Sequence, residues 1–375
     1  MEAPFLSPII CPVVIGRVRE VTRLHMLVDR AKSGEGQVAL ISGEAGIGKS
    51  RLVAEVKTEA LSNGFLLLQG SCFPTDHAIP YAPLLDLLRS HFSDHSQSTP
   101  AHSVERIAQA FLPLLPDLSH ALAGGPPPST LTLLDPEQEK RRRFETLAQF
   151  LTDLTRWRPV LCVLEDLHWS DNTSLEFLHY LARRCAAHRL LLVLTYRSDE
   201  VHSSLRHFLA QLDRERLVQE FALARLTQSE VSAMLSAIFA LHRSIFAMPS
   251  LVQGDLLDAM YALTEGNPFF IEELLKSLIE AGDIVYEQGR WQRKEPGEWH
   301  IPRSIHDIVE LRTAHLSEGA RQVLHLAAVT GRHFDFVLLQ ALTHQDEVQL
   351  LRLLKELIAA QLVAEESAER FAFRH

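Results

Sequence analysis

Cysteine is scarce in this chain. Cys11, Cys72, Cys162 and Cys185 are the only four among 375 residues, and none forms a Cys-x-x-Cys pair. This excludes a disulfide-stapled scaffold and a cysteine-built zinc site, and it fits reduced thiols in a cytoplasmic setting. Long apolar runs are missing as well. The strongest, around Pro8 to Ile15 and Leu190 to Leu194, fall far short of the roughly 20 residues that span a bilayer. The first has neither a basic leader nor a cleavage pattern, so no signal peptide and no membrane partner are expected. Positive charge is in deficit. Lys plus Arg number 37 against 47 Asp plus Glu, a net −10, whereas a domain living on nucleic-acid backbone needs a basic surplus. The GxSxG, HExxH and kinase HRD or DFG patterns are also absent, which leaves other hydrolytic and kinase chemistry without support.

The chain does have ordinary core-forming material. With 46% hydrophobic residues and a mass of 42.3 kDa, it can fill two or three domains. Its 19 histidines are dispersed. The one helix-like pair, His91 and His95, lies in a Ser-rich polar stretch read as a solvated loop, and no structural metal is expected.

Periodicity gives the order of elements. An amphipathic helix carries Val21, Leu24, Leu27 and Val28 on one face. A buried strand follows at Val38 to Ser42, then a glycine-rich turn, a helix from Arg51 to Ala60, and a second strand at Gly64 to Gln69. The order strand, loop, helix, strand predicts a parallel α/β sheet. Ser, Pro and His crowd residues 93 to 136, including Gly124-Gly125-Pro126-Pro127-Pro128, and mark an insertion. A long helix at 136 to 156 leads into the continuous apolar run Pro159 to Leu164, expected for a central strand covered on both faces. Helix 172 to 186 and strand Leu190 to Tyr196 add another unit, so the core is expected over 1 to 225. The basic run Lys140-Arg141-Arg142-Arg143, with Glu139 and Glu145 nearby, reads as a solvated helix face.

Helices at 229 to 239, 254 to 264 and 268 to 281, with a strand-turn-strand from 284 to 298, predict a helical lid and linker hairpin over 226 to 300. Three helices and a final hairpin over 301 to 375 suggest a winged helix. Residues 302 to 375 hold eight basic and ten acidic side chains, a net of −2, which points to a regulatory or packing module rather than a groove reader.

Gly43-Glu44-Ala45-Gly46-Ile47-Gly48-Lys49-Ser50 fits GxxxxGK[ST] between a strand and a helix, the placement that makes this pattern specific for phosphate binding. Its backbone N–H groups can turn around phosphate oxygens, Lys49 can reach the β and γ phosphates, and Ser50 can ligate Mg²⁺, with Arg51 following at the helix start. Glu165-Asp166 ends the buried run 161 to 164. Two acids at a strand end are costly unless a cation or donors compensate. Glu165 is expected to face Mg²⁺, directly or through water, and Asp166 to orient or deprotonate the attacking water, though the two roles could be exchanged. Arg197 closes the next strand and is the right kind of group to sense a γ phosphate.

With these residues in view, the chain resembles the AAA-type ATPase module of STAND signalling NTPases, as in the large ATP-binding LuxR-type transcriptional regulators. Ile15-Gly16-Arg17 with Arg19-Glu20 is similar to the family's GRExE-type motif beside the adenine, with Val18 in place of the usual acid. Glu165-Asp166-Leu167-His168-Trp169-Ser170-Asp171 is similar to its acidic-pair-hHWxD signature, and Thr195-Tyr196-Arg197 to its sensor arginine. Gly266-Asn267-Pro268-Phe269-Phe270 resembles the GNPFF motif, which implies that Pro268 packs on the adenine. Phe373-Arg374-His375 resembles an FRH segment in which histidine contacts the ADP β phosphate. The resemblance implies a P-loop fold with lid and winged helix, ATP or ADP with Mg²⁺ as cofactors, slow ATP hydrolysis used as a switch, an inducer, and self-association in the ATP state. It further implies that the chain is the front part of a longer regulator, with DNA contact only through a domain absent from it. Two alternatives stand beside this reading: an ATPase module governing an adenylyl cyclase or protein kinase, and a DNA-handling AAA ATPase of origin-recognition type.

Overall fold

The computed structural model describes residues 10–73, 79–95, 106–107, 110–111, 114, 135–241, 254–287, 290–293, 313, 316–331, 333–360, 362–367 and 370–373. The chain groups into two compact units. One comprises Arg17–Ala45 and Lys49–Leu223; the other comprises Met1–Gly16, Gly46–Gly48 and Ala224–His375.

The first unit is built on five parallel strands, β1 (Gln37–Gly43), β2 (Leu66–Ser71), β3 (Val160–Glu165), β4 (Leu190–Arg197) and β5 (Gln219–Ala222), in the order β2-β3-β4-β1-β5. The interior strands are apolar along their length because helices cover both faces. Val160 to Leu164 and Leu190 to Leu194 are all buried, each side chain contributing about 1.5–3 kcal/mol. Helix α1 (Val18–Lys32) turns Leu24, Leu27, Val28 and Ala31 inward, and α2 (Lys49–Ser62) buries Leu52, Val53, Val56 and Ala60. Also in this unit are α3 (Ala82–His95), α4 (Pro136–Trp157), α5 (Asn172–Cys185) and α6 (Ser203–Arg214).

Helix α3 changes the reading of His91. Rather than lying in a solvated loop, the imidazole is 2% exposed and sits edge-on to Phe92 and Phe150, at 5.2 and 5.5 Å between ring centres. Residues 96–105 of that polar stretch lie outside the described residues. Most of the stretch read as an insertion lies outside the described residues, but Ile107, Ala110 and Phe111 within it are helical and buried in the sheet's core. On α4 the basic run pairs with acids, Lys140 with Glu176 at 2.5 Å and Arg143 with Glu139 at 3.3 Å. All four cysteines are free thiols, and all are buried.

In the second unit, α7 (Gln228–Leu241), α8 (Asp255–Thr264) and α9 (Pro268–Glu280) enclose a core containing Cys11, Leu235, Met260, Ile271 and Leu275. Cys11 N–H donates to Glu272 Oε1 at 2.9 Å, tying the segment before Gly16 to α9. An antiparallel pair follows, β6 (Ile284–Glu287) and β7 (Arg290–Arg293). Next come α10 (Glu318–Thr330), β8 (His333–Asp335), α11 (Phe336–Thr343), α12 (Glu347–Ala359), β9 (Val363–Ser367) and β10 (Arg370–Phe373). The last three strands form an antiparallel sheet in the order β8-β10-β9. It closes a small core of its own, with Val323, Leu354 and Phe371 inside and Phe334 stacked on Phe371 at 6.0 Å. Among the described residues no helix is long and apolar enough to cross a membrane.

Candidate active site

Strand β1 is flanked by β4 and β5, so its end delivers the glycine-rich loop at the carboxyl edge of the parallel sheet. That edge is where ligands of open α/β sheets bind. Lys49 starts α2 and is 8% exposed. Its ammonium donates to Gly43 O at 2.9 Å and to Glu44 O at 2.8 Å, so the loop's own carbonyls hold it under the loop. Burial lowers its pKa from the usual lysine value; Asp166 opposes that shift and Arg197 adds to it. Ile47 is buried, Ala45 and Ser50 are exposed, and Arg51 is half-buried.

The acidic end of β3 separates into two environments. Glu165 faces Lys57 of α2, with Nζ to Oε1 at 3.3 Å and both side chains largely covered. Asp166 leaves the strand in the left-handed region, φ 62 and ψ 44, a conformation that Asp tolerates better than most residues. Its N–H donates to the Thr195 hydroxyl of β4 at 3.0 Å, which fixes the turn against the neighbouring strand. Only 8% of Asp166 is exposed, and its charge is felt at Lys49. Arg197 ends β4 in register with Gly43, the first residue of the loop. Lys49, Asp166 and Arg197 thus converge at three adjacent strand ends, with Glu44 beside them.

Comparison with known proteins bears on this arrangement. Residues 13–194 match the family described as AAA ATPase domain. Over that stretch the chain is similar to AAA ATPase domains. An uncharacterized protein of Rhizobium meliloti (strain 1021) is 29% identical over 335 residues, covering 88% of this chain and 31% of its own length. Among solved structures, a STAND protein with a tetratricopeptide repeat sensor from Pyrococcus horikoshii superposes with TM-score 0.50 and 14% identity, over 98% of this chain and 43% of that one. The Aeropyrum pernix ORC2 protein gives TM-score 0.48 and 17% identity over 97% and 91% of the two chains. This chain therefore spans about a third of the curated relative and less than half of the STAND structure.

Several side chains around the glycine-rich loop carry no clear signal in the sequence. Lys57 occupies Glu165. Asp171 of the hHWxD-like signature is the N-cap of α5, accepting from Ser174 N–H at 2.9 Å and its hydroxyl at 2.5 Å. Glu200 binds Arg197 at 2.5 Å, and the Trp169 ring lies 5.0 Å from the same guanidinium. Glu200 could have been noticed as an acid three residues past a strand-ending arginine, a spacing that brings the two together in a turn. The Lys57 contact has no local signal, because 108 residues separate the partners.

In the second unit, the loop apex packs on the start of α9. Phe269 N–H points at Gly46 O at 3.3 Å. Gly46 has φ 74, and a Cβ there would fall 2.7 Å from Phe269 Cβ, so both conformation and space demand glycine. Pro268 is the first residue of α9, and the Asn267 side chain caps that helix by accepting from Phe269 N–H. Gly16 packs against Leu226 and Glu230, while Arg17 lies in the first unit as the buried N-cap of α1. His375 lies outside the described residues.

A Mg²⁺ that arrives with nucleotide needs only one or two protein oxygens beside phosphate and water. The Ser50 hydroxyl and the β3 carboxylates are donors of that type. Among the described residues, no group of three or more His, Cys, Asp or Glu forms a self-sufficient metal cage. The Ser50 hydroxyl and these carboxylates fit an ion carried by phosphate.

Proposed function

We propose that the chain hydrolyses ATP at this loop, with Lys49, Asp166 and Arg197 as the working side chains. The convergence of these three charged groups at neighbouring strand ends is the observation that supports it. Bound phosphates would draw Lys49 from the Gly43 and Glu44 carbonyls. Asp166 would orient or deprotonate water, and Arg197 would meet the charge developing on the γ phosphate. Mg²⁺ would sit on Ser50 with a β3 carboxylate behind it, directly or through water. The Lys57 contact draws Glu165 toward α2 and so favours Asp166 for the phosphate side. Asp166→Asn is expected to keep ATP binding within about threefold while lowering turnover roughly a hundredfold or more. Equal turnover in a phosphate-release assay would remove Asp166 from the chemistry.

The use made of that turnover has two readings. DNA handling of origin-recognition type comes first because it needs nothing beyond residues in hand. The order helix, strand, helix, helix, strand, strand with a three-stranded antiparallel sheet supports a winged helix, a scaffold able to dock on duplex DNA. The −2 balance over 302 to 375 opposes it, so any duplex contact would involve only a few basic groups. The second reading is a nucleotide switch, with Pro268 on the adenine and His375 on the ADP β phosphate, in a LuxR-type regulator or in a protein governing a cyclase or kinase. It rests on the quoted motifs and requires an inducer and an output domain. Fluorescence anisotropy with a labelled duplex separates the two. DNA handling predicts binding that weakens between about 50 and 200 mM salt, whereas the switch predicts none from this chain.

A further inference from the structure

Glu200 faces two of the groups around the loop at once. Its Oε1 takes Arg197 Nη1 at 2.5 Å, and its Oε2 lies 3.6 Å from His168 Nε2. The other ring nitrogen of His168, Nδ1, is 4.0 Å from Asp166 Oδ1, and the His168 side chain has no solvent exposure. Trp169 joins the two arms, with its ring centre 4.4 Å from that of His168 and 5.0 Å from the Arg197 guanidinium. Asp166, His168, Trp169, Arg197 and Glu200 therefore form one cluster within the first unit, with Glu200 at its solvent side, 40% exposed. Its charge reaches Lys49 as well, opposing the lowering of the lysine pKa.

We infer that Glu200 is a positioning residue of the ATPase, fixing the Arg197 guanidinium between its own carboxylate and the Trp169 ring so that the arginine meets phosphate already aimed. The inference rests on the ATPase reading above. A guanidinium has five N–H donors in a rigid fork. Glu200 engages Nη1 and leaves the other edge able to address an anion. A long side chain that ends a strand without such a restraint has several rotamers to lose on meeting phosphate, and that loss would fall on the step in which phosphate charge develops. Because Glu200 would act through Arg197, which it binds, its removal should lower turnover and leave ground-state ATP binding nearly unchanged.

The test is a double-mutant cycle on the 375-residue chain, reading ATP turnover and ATP KM for wild type, Glu200→Ala, Arg197→Ala and the double variant. Glu200→Ala is expected to lower kcat about tenfold with KM within about twofold, and to lower it less than about twofold further when Arg197 is already alanine. Glu200→Gln keeps an acceptor oxygen and is expected to recover about a third of wild-type turnover. An undiminished Glu200→Ala effect in the Arg197→Ala background would overturn the inference, as would an effect confined to KM or no effect on kcat. The cycle also separates the two levels of reading. Absence of ATP turnover in wild type refutes the ATPase assignment itself, whereas normal wild-type turnover with an indifferent Glu200 refutes only the positioning role.

Discussion

Asp166 and Glu165 are adjacent in sequence yet meet different partners, because the chain leaves β3 between them and turns left-handed at Asp166. Residues whose placement depends on local backbone shape were legible beforehand. The phosphate loop needs glycines at fixed spacing, and that spacing is local. Residues whose chemistry depends on a distant partner were not. Lys57 on Glu165 and the aromatic enclosure of His91 arise only when separate helices are brought onto the sheet. The cysteines belong at this scale too. Their scarcity and lack of pairing implied free thiols, and the fold adds burial. Burial pushes the thiols of Cys162 and Cys185 up from 9.0 to about 12. The unfolded chain releases those protons near pH 9 and the folded chain only near pH 12. Within that window the unfolded state binds fewer protons, so stability falls as pH rises. Urea midpoints at about pH 8 and 10.5 are expected to drop more steeply in wild type than in a Cys162→Ala, Cys185→Ala chain; parallel slopes would contradict the burial.

Elements with strong periodicity and clear ends were readable from sequence, including α1, α4, β3 and the Pro-led α9. Two others were passed over. Strand β5 has only four residues and alternates Phe221 inward with Glu220 and Ala222 outward, too short a pattern to stand apart from a loop. Helix α6 carries Leu205, Phe208 and Leu212 inward but begins at an unusual cap, the His202 ring accepting from Leu205 N–H. At α5 the cap is conventional and its cost can be measured. Asp171→Ala removes acceptors for both the Ser174 N–H and its hydroxyl, and is expected to lower unfolding free energy by about 1–2 kcal/mol with ATP binding retained. A urea titration showing no loss would mean that the α5 start is held by other contacts.

At the scale of the whole molecule, the two compact units divide the glycine-rich loop, whose apex Gly46–Gly48 groups with the unit that begins again at Ala224. With a net charge of −10, any duplex binding would depend on a few basic side chains rather than on the overall field. The C-terminal sheet and helices were expected as a hairpin after three helices; the structure adds β8 as a third strand, a three-residue segment that no alternation in the sequence could reveal. The central claim remains that the loop is an ATP site run by Lys49. Isothermal titration of ATP with Mg²⁺ into wild type and Lys49→Ala tests it most directly. The account predicts saturable binding by wild type, weakened about a hundredfold or more in the variant, with both proteins melting alike without nucleotide. Equal affinity of the two proteins for ATP, or no binding by wild type, would contradict it.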